Sequence, residues 1–580
     1  MTLPHISLSP CPKGYTHDLD KAIAPEETVR RVRARLEAAR ADILAETRRI
    51  DTGRLGIPVY LSVCGAEARR VMPTRKQMGK GSSPAQAQAS ALMELMERYA
   101  FFSFWERRPF FREATWSEAE TQFGSALLPI EEILRSVHDS ADPATARRLM
   151  DLRRWQFFPA TRLSDGATVW LPLDWFKLLG EFNGTSSGNS AEESLLQGLS
   201  ELVERHVCCH VDGERLETPT ITVGENDDAV LPSLLHAFAR NGVTLVLKDF
   251  SLGMPLPTVG AVAWDPATFP EASEIVFTAG TAATPAKAAV RAVTEIAQLA
   301  GDFCTRACYE ASGLSKFDRL EDIAWLLRGP SVPLRSLPSV ERDDIREELR
   351  AAVAGLAPLQ VYAVETTHPD LGVAAHYTVV PGLDFRERDR NQSIGLFVGR
   401  KLAEEADAAD ASRGLAVLEE CCPGAHYLPF FKGMLAMRRG DNAAAHALFR
   451  EAAPLQPDAD AFALASFYAG YVLTLDGRWH EALPFLQAAF ERCPSMKEYG
   501  NLAGVALFKM ERYDDAATYF SRVLRIDKGS AMDWANLGMC HKRGGRDGEA
   551  GRCLRRALSL DASLDFARRA LEELDTSARQ

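Results

Sequence analysis

Glutamates recur at matching positions in three separate segments of this 580-residue chain. The segments read SALMELMER at 90–98, QGLSELVER at 197–205 and RAVTEIAQL at 291–299. When the segments are aligned on their first glutamates, Glu94, Glu201 and Glu295 are equivalent. Three residues later stand Glu97, Glu204 and Gln298, and an arginine follows in the first two segments, as Arg98 and Arg205. Residues at i, i+4 and i+7 of a helix share one face. Each segment therefore predicts a helix with one polar stripe, which Ser90, Glu193 with Gln197, and Arg291 extend toward the N-terminus.

The remaining positions of these helices are apolar, which places the stripes in a protein core. A single Glu-x-x-Glu-Arg segment is common on solvated helix faces, where glutamate pairs weakly with arginine. Three aligned copies favour a site. Carboxylates gathered in a core repel one another and lose hydration, so they require cations. Magnesium held by a few carboxylates and by phosphate oxygens meets that requirement, and this combination implies a bound nucleotide.

A loop of small residues precedes each striped helix. The loops read MGKGSSPAQAQAS at 78–90, NGTSSGNSAEES at 183–194 and TAGTAATPAKAAV at 278–290. The first sets Lys80 between glycines, and the second offers Asn189 or Ser190 as a helix cap. Small residues let a backbone approach a ligand closely, and helix N-termini favour anions. Neither GxxxxGK[ST] nor GxGxxG occurs, so the expected nucleotide site is of another kind.

The elements that must position these stripes alternate between helix and strand. EETVRRVRARLEAARADIL at 26–44 has a helical pattern. Strand-like runs follow at four places: 57–63, 243–250, 359–366 and 374–380. The mixture predicts an α+β fold over residues 1–400. The polar segment around 385–410 is the candidate domain boundary.

The last third of the chain, residues 410–580, repeats at a regular interval. Gly433, Gly470, Gly504 and Gly538 are 37, 34 and 34 residues apart, and each is followed twelve residues later by alanine. A period of about 34 residues is the tetratricopeptide signature of paired antiparallel helices. About four such units can bury a continuous core and form an all-α solenoid. Binding of a partner or peptide and self-association are equally compatible with the array.

Composition excludes several classes of protein. The formal charge of -12 argues against a nucleic-acid partner. No apolar run is long enough to span a membrane, and the first residues lack the features of a signal peptide. The 11 cysteines are scattered without any CxxC, and Cys304 with Cys308 lack further metal ligands, so a reduced cytoplasmic protein is expected. His206, His368 and His376 are assigned ordinary packing or surface roles.

The striped helices and their loops closely resemble the YcaO superfamily over roughly residues 12–385. The first family motif is matched by Gly79 to Gly81, Ser90, Glu94, Glu97 and Arg98. The second is matched by Asn183, Gly184, Gly188, Asn189, Glu193, Gln197, Gly198, Glu201, Glu204 and Arg205. The third is matched by Arg291, Glu295 and Gln298, and VVPGLDF at 379–385 looks like the family's closing segment.

The resemblance implies ATP and Mg²⁺ bound among these helices and a particular reaction. Family members phosphorylate the oxygen of a peptide-backbone amide after a nucleophile has attacked the carbonyl carbon. Loss of phosphate then gives an azoline, a thioamide or an amidine. The resemblance implies nucleotide contacts from Lys80, Asn189 and the stripe residues, with Mg²⁺ held by a subset of Glu94, Glu97, Glu201, Glu204 and Glu295.

Three functions remain open. Azoline-forming members end in a proline-rich tail, whereas this sequence ends in the repeat array. This difference favours thioamidation or another sulfur-linked modification of a peptide or protein, with a TfuA-like or other sulfur-delivering partner. The segments 13–28 and 54–63 resemble thioamide-forming members. The alternatives are a cyclodehydratase acting on Cys, Ser or Thr, and a non-catalytic ATP-binding scaffold or accessory factor for a methylthiotransferase.

Overall fold

A computed structural model describes residues 3–51, 54–108, 110–225, 227–300, 317–385 and 392–577. Cys304, Cys308 and residues 386–391 of the candidate boundary lie outside the described residues. The chain divides into two compact units, one comprising Met1–Pro143 with Arg154–Gln392 and the other Ala144–Arg153 with Ser393–Gln580. Within the described ranges, no helix combines the length and the apolar character needed to cross a membrane.

The first 385 residues alternate helices and strands, as the sequence predicted. The helices are α1 (Pro25–Ala39), α2 (Ala66–Val71), α3 (Pro84–Arg107), α4 (Trp116–Phe123), α5 (Ile130–Ser136), α6 (Pro143–Met150), α7 (Leu173–Gly180), α8 (Ala191–Glu214), α9 (Leu231–Arg240), α10 (Pro285–Ala300) and α11 (Ile345–Gly355). The strands are β1 (Leu44–Arg49), β2 (Val59–Cys64), β3 (Lys76–Lys80), β4 (Arg112–Ala114), β5 (Trp155–Arg162), β6 (Thr168–Pro172), β7 (Thr185–Gly188), β8 (Thr220–Thr222), β9 (Thr244–Asp249), β10 (Thr258–Trp264), β11 (Val276–Thr281), β12 (Ser331–Pro333), β13 (Tyr362–Glu365) and β14 (Ala374–Val379).

The four strand-like runs of the sequence are confirmed as β2, β9, β13 and β14. The helical pattern over 26–44 is confirmed only as far as Ala39. Arg40 caps α1 in the left-handed region at φ 52° and donates its backbone N–H to the Glu37 carbonyl. A residue in this conformation ends a helix, and the chain then starts β1 at Leu44.

The strands form three sheets, and each striped helix follows the edge strand of a different one. The orders are β1-β2-β3, β11-β10-β9-β8-β12 and β4-β5-β13-β14-β7, with β6 paired to β5. Among the described strands, β3, β7 and β11 each stand at the end of their sheet and pair with one neighbour, through antiparallel ladders. They lead directly into α3, α8 and α10. The α+β class is therefore confirmed, with a repeated strand-to-helix unit at its centre.

Each of these helices buries its apolar face in a separate hydrophobic cluster. Leu92, Leu95 and Met96 of α3 pack with Val32 and Leu36 of α1. The apolar face of α8 packs with β10, β11 and α11, and that of α10 packs with α9, β9 and β10. Full burial of a side chain the size of leucine contributes about 1.5–3 kcal/mol. Three separate hydrophobic clusters therefore fix the orientation of the three helices. The polar stripes lie outside these clusters.

The second unit contains the predicted helix pairs. Besides most of α6, its helices are α12 (Ile394–Glu405), α13 (Ala408–Cys421), α14 (Leu428–Arg438), α15 (Asn442–Ala452), α16 (Ala459–Leu475), α17 (Trp479–Arg492), α18 (Lys497–Lys509), α19 (Tyr513–Ile526), α20 (Ala531–Arg543), α21 (Asp547–Leu560) and α22 (Asp565–Ser577). Each repeated glycine lies on the first helix of a pair, against a large side chain of the second. A Cβ at Gly470 would lie 2.8 Å from Leu486, and one at Gly504 would lie 2.9 Å from Phe520. The recurring glycines are therefore the points where paired helices cross closely.

Candidate functional site

The three strand-to-helix units begin their helices in the same way. A hydroxyl caps each one and accepts a backbone N–H of the first turn: Ser83 from Gln86, Ser190 from Glu193, and Thr284 from Lys287, each at 3.2 Å. The sequence predicted Asn189 or Ser190 as the N-cap of α8, and the structure shows Ser190 in that position. Glu94, Glu201 and Glu295 each follow their cap by eleven residues. Equal spacing from a fixed start places the three glutamates at the same height on their helices.

A glycine in each preceding strand allows the strand to lie against its helix. A Cβ at Gly79 would lie 2.0 Å from the Ala91 nitrogen. A Cβ at Gly188 would lie 2.4 Å from the Ser194 nitrogen, and a Cβ at Gly280 would lie 2.5 Å from the Ala292 nitrogen. Backbone atoms cannot move aside for a side chain. These glycines therefore serve strand-to-helix packing, which is a different reason from the ligand approach that the sequence suggested.

The polar stripes converge on one cavity of about 270 Å³. All fourteen residues selected from the sequence line it: Lys80, Ser90, Glu94, Glu97, Arg98, Asn189, Glu193, Gln197, Glu201, Glu204, Arg205, Arg291, Glu295 and Gln298. The structure thus brings them together. Their individual roles toward nucleotide and metal remain predictions.

The cavity wall has an excess of negative charge. Seven carboxylate side chains line it, against five lysines and arginines. A nucleotide triphosphate would add further negative charge to this surface. Divalent cations must therefore accompany any nucleotide that binds here, because carboxylates and phosphates otherwise repel each other.

Burial raises the pKa of several of these carboxyl groups. It raises the pKa of Glu97 to about 8, with Arg98 opposing the rise and the charges of Glu201 and Glu94 adding to it. Burial also raises the pKa of Glu94 and of Glu204, against the effect of nearby arginines. Carboxyl groups that are costly to ionise alone become favourable ligands when a cation replaces the proton.

Arg98 is held rigidly beside Glu97. Its Nη1 lies 3.1 Å from Glu97 Oε1 and donates to Thr185 Oγ1 at 3.1 Å. Its guanidinium lies 4.1 Å from the centroid of the Phe182 ring. Stacking and hydrogen bonding together fix the plane of an arginine. Lys80, at the end of β3, forms an ion pair with Glu295 of α10 and so connects the first unit to the third.

Two buried polar atoms of α10 lack partners in the part of the chain that the structure describes. Arg291 Nε and Gln298 Oε1 have no hydrogen-bond partner among the described residues, although Arg291 Nη1 donates to Gln197 Oε1 at 2.8 Å. Buried polar groups are nearly always hydrogen-bonded, so an exception in the wall of a cavity is a candidate contact for a ligand. An unused donor and an unused acceptor beside a group of carboxylates fit a bound nucleotide with its Mg²⁺.

Asn189 and Glu193 already have partners within the protein. Glu193 accepts the backbone N–H of Ala22 at 3.1 Å and lies 3.4 Å from the Lys21 ammonium group. Asn189 donates to Glu193 at 3.0 Å and accepts from Thr28 at 3.1 Å. These two residues therefore hold the N-terminal segment against the cavity.

That N-terminal segment supplies residues that sequence reasoning missed. Asp18 and Lys21 line the cavity, and Asp18 is fully buried with Ser82 Oγ donating to it at 2.5 Å. Ser82, Gln86 and Cys208 also line the cavity. The signal that could have found Asp18 and Lys21 is the charged run HDLDK at 17–21, which precedes the first helix without any helical or strand period.

Comparison with known proteins agrees with this geometry. The family model described as YcaO cyclodehydratase, ATP- and Mg²⁺-binding, matches residues 78–384, which contain all three striped helices. A tetratricopeptide repeat model matches residues 534–564. The repeat array predicted from the glycine and alanine spacing is thereby confirmed.

Three relatives show how the similarity is distributed. An uncharacterized protein of Methanothermobacter thermautotrophicus is 27% identical over 411 residues, or 66% of this chain and 98% of that protein. The ribosomal protein S12 methylthiotransferase accessory factor YcaO of Escherichia coli is 30% identical over 33% of this chain and 35% of its own length. An uncharacterized protein in the tfuA 3′ region of Rhizobium leguminosarum bv. trifolii is 28% identical over 35% of this chain and 52% of its own length.

Among solved structures, a heterocyclase in complex with substrate and cofactor is similar to this chain. The TM-score is 0.54 at 22% identity, over 66% of this chain and 55% of the heterocyclase. This likeness shows the fold alone. The matched region spans little more than half, or less, of the heterocyclase and of the two bacterial relatives. Because the family model covers more than half of the sequence and all three striped helices, the chain belongs to the YcaO family of ATP- and Mg²⁺-binding enzymes.

Proposed function

We propose that this enzyme uses ATP and Mg²⁺ to activate a peptide-backbone amide, and that the modification is thioamidation. The observation that carries the proposal is the cavity in which glutamates from three equivalent helices meet. Each helix already buries its apolar face in a hydrophobic cluster, so hydrophobic packing does not require the carboxylates on the opposite face to meet. Their convergence is best explained by a common ligand of high positive charge.

Mg²⁺ would be held by a subset of Glu94, Glu97, Glu201, Glu204 and Glu295. Lys80, Arg98 and Arg291 are placed to offset phosphate charge, because each carries a cationic group into the same cavity. Gln298 is neutral and has an unused acceptor. It suits a hydrogen bond to the nucleotide or to metal-bound water better than direct ligation.

Bound MgATP supplies the phosphoryl group that converts the amide oxygen into a leaving group. In thioamidation, hydrosulfide would add to the amide carbon, and the amide oxygen would take the γ-phosphoryl group as its bond to ADP breaks. The C–O bond would then break to release phosphate, and the proton of the S–H group would leave with it. The nitrogen keeps its proton and no oxidant is needed. The fixed guanidinium groups of this chain stabilise negative charge as it moves onto oxygen, without reorganising during the reaction.

The choice of sulfur as nucleophile rests on the N-terminal segment. Residues 13–28 resemble thioamide-forming members of the family, and six residues of this segment line the cavity: Asp18, Leu19, Lys21, Ile23, Pro25 and Thr28. The part of the sequence that carries the resemblance is thus a wall of the site. A segment with no contact to the cavity would carry no information about the reaction.

Mass spectrometry of a treated peptide tests the proposal. The full chain is incubated with ATP, Mg²⁺, sulfide and peptides encoded by neighbouring genes. Exchange of one oxygen for one sulfur supports thioamidation, whereas loss of one water supports the cyclodehydratase. ATP hydrolysis without a mass change in any peptide contradicts both and favours the ATP-binding scaffold. The presence of glutamates on all three striped helices argues against the non-catalytic scaffold. A site without catalytic function could lose these carboxylates, because holding like charges together in a buried place costs free energy.

Partners are proposed on similar grounds. The repeat array is proposed to bind a protein or peptide, or a second copy of the chain, since stacked helix pairs form an extended concave surface. The name of the Rhizobium relative supports testing a TfuA-like protein as sulfur donor. Sedimentation of the purified chain, alone and with that protein, separates self-association from binding.

A further inference from the structure

Three histidines surround one carboxylate outside the cavity. His206 and His210 are four residues apart on α8 and share a face of that helix. Asp384 follows β14 at the end of the segment VVPGLDF, and His138 follows α5. None of the four lines the nucleotide cavity. On α8, His206 lies about 200° around the helix from the cavity residue Glu204.

The ligand-type atoms of this cluster lie close together. His210 Nε2 lies 3.0 Å from Asp384 Oδ2, and His138 Nε2 lies 2.8 Å from Asp384 Oδ1. His206 Nδ1 lies 3.8 Å from Asp384 Oδ2 and accepts the backbone N–H of Asp384 at 3.0 Å. One ligand atom each from His206, His210 and Asp384 can be chosen so that all lie within 4.8 Å of one another. This spacing is compatible with three ligands that share one ion.

A further carboxylate orients one of the rings. Glu214 Oε1 lies 2.9 Å from His210 Nδ1, one turn farther along α8. A metal-binding histidine typically donates its other N–H to a carboxylate or carbonyl, which fixes its tautomer and direction. Glu214 fills this position and leaves His210 Nε2 directed at Asp384. The cluster therefore has both the direct ligands of a metal site and a group that supports one of them.

We propose that His206, His210 and Asp384, with His138 as a fourth ligand, bind a divalent transition-metal ion such as Zn²⁺. Imidazole nitrogens with one carboxylate suit zinc, cobalt or nickel and disfavour Mg²⁺, which requires oxygen ligands. The ion joins α8 to the segment that follows β14. Because α8 also carries Glu201, Glu204 and Arg205, the metal stabilises one wall of the nucleotide cavity without touching the nucleotide.

Cobalt binding to the full chain tests this proposal. The full chain is first treated with a chelator to remove bound metal. Excess Mg²⁺ is then added so that it fills the carboxylate cavity and Co²⁺ does not bind there. Co²⁺ replaces Zn²⁺ because zinc has no visible spectrum. We expect a single equivalent of Co²⁺ to give visible absorption without a thiolate charge-transfer band, and Zn²⁺ to displace it. Wild-type protein that binds no Co²⁺ under these conditions overturns the proposal.

Matched variants locate the ion. His210→Gln is expected to weaken Co²⁺ binding at least about tenfold to a hundredfold, the loss typical of even a supporting group. His480→Gln, which removes an exposed histidine of the second unit, is expected to change nothing. His138 is half exposed, so His138→Gln provides a second test that does not depend on a buried substitution. Equal Co²⁺ affinity in wild type, His210→Gln and His138→Gln places any bound ion elsewhere and refutes the site.

Discussion

Arg291 Nη1 of α10 donates a hydrogen bond to Gln197 Oε1 of α8 at 2.8 Å. Two of the three equivalent helices are thus joined through side chains that line the cavity. The hydrogen bond leaves Arg291 Nε buried and without a partner among the described residues. One N–H group of the guanidinium is therefore bonded and another is an unused donor, as expected of a group that also binds an anionic ligand.

Arg291→Lys is expected to weaken nucleotide binding. Lysine keeps the charge but cannot bond Gln197 and a ligand with one planar group. A hydrogen bond to a charged group contributes about 1.5–3 kcal/mol, which corresponds to an increase of about tenfold to a hundredfold in Kd. Calorimetric titration with a non-hydrolysable ATP analogue and Mg²⁺ measures the change.

The control is Arg328→Lys, an exposed arginine whose partner is Glu217. It should leave nucleotide affinity unchanged. Equal affinity in wild type and Arg291→Lys would show that Arg291 has only a structural role in joining α8 to α10.

Glu201→Gln is expected to abolish most ATP hydrolysis. The substitution keeps the shape of the side chain and removes one negative charge from the predicted Mg²⁺ site. Loss of one preorganised electrostatic group typically lowers kcat by about 100-fold to 1000-fold. Phosphate release measured at saturating ATP and Mg²⁺ gives the rate. Glu106→Gln, on the exposed end of α3 beside Arg70, should retain wild-type activity, and unchanged hydrolysis in Glu201→Gln would eliminate the proposed site.

The sequence revealed the local part of the site. The stripes of α3, α8 and α10 follow from helical spacing, because residues on one face of a helix recur at fixed intervals. The repeat array follows from an equally regular spacing of glycine and alanine. Both predictions depend only on neighbours within a few turns of helix, and the structure places all fourteen selected residues around one cavity.

Long-range contacts could not be found in this way. Ala22 bonds Glu193 across 171 positions of sequence, and His138 meets Asp384 across 246. No period in the sequence joins such residues, since they come together only when sheets and helices pack. For the same reason the sequence indicated no partner for His206 and did not select Asp18. Cases of this kind require the tertiary structure.

Gly280→Ala is expected to destabilise the third strand-to-helix unit. The new Cβ would lie 2.5 Å from the Ala292 nitrogen and 2.6 Å from the Ala288 carbonyl oxygen. Both contacts are with helix backbone, so β11 and α10 must separate. Overpacking of this kind costs about 1–3 kcal/mol, and the loss should appear as faster amide hydrogen exchange in α10.

Gly548→Ala is the matched control in a helix without crowding. No atom lies within 4 Å of a Cβ at this position, and alanine is favoured over glycine in helices by up to about 1 kcal/mol. Amide exchange in α21 should stay the same or slow. If Gly280→Ala left exchange in α10 unchanged, the close packing of β11 on α10 would not be the reason for glycine there.

Acid is expected to destabilise the first unit through His376. This histidine of β14 is 2% exposed, and its Nδ1 lies 3.0 Å from Ser194 Oγ. Burial lowers its pKa from the ordinary value of 6.5 to about 4. The folded protein therefore binds fewer protons here than the unfolded chain between these two values, and stability falls as pH falls through this window. The full effect is about 3.5 kcal/mol, at about 1.4 kcal/mol for each pKa unit.

His376→Gln separates this effect from the titration of carboxylates. Glutamine can still hydrogen-bond Ser194 but does not take up a proton in this range. Between about pH 7.5 and about pH 5, wild type should lose about 2 kcal/mol more unfolding free energy than the variant, because most of the linked protonation falls in that interval. Urea denaturation at the two pH values measures both losses. Parallel pH profiles for the two proteins would mean that His376 is not the group whose neutral form the fold requires.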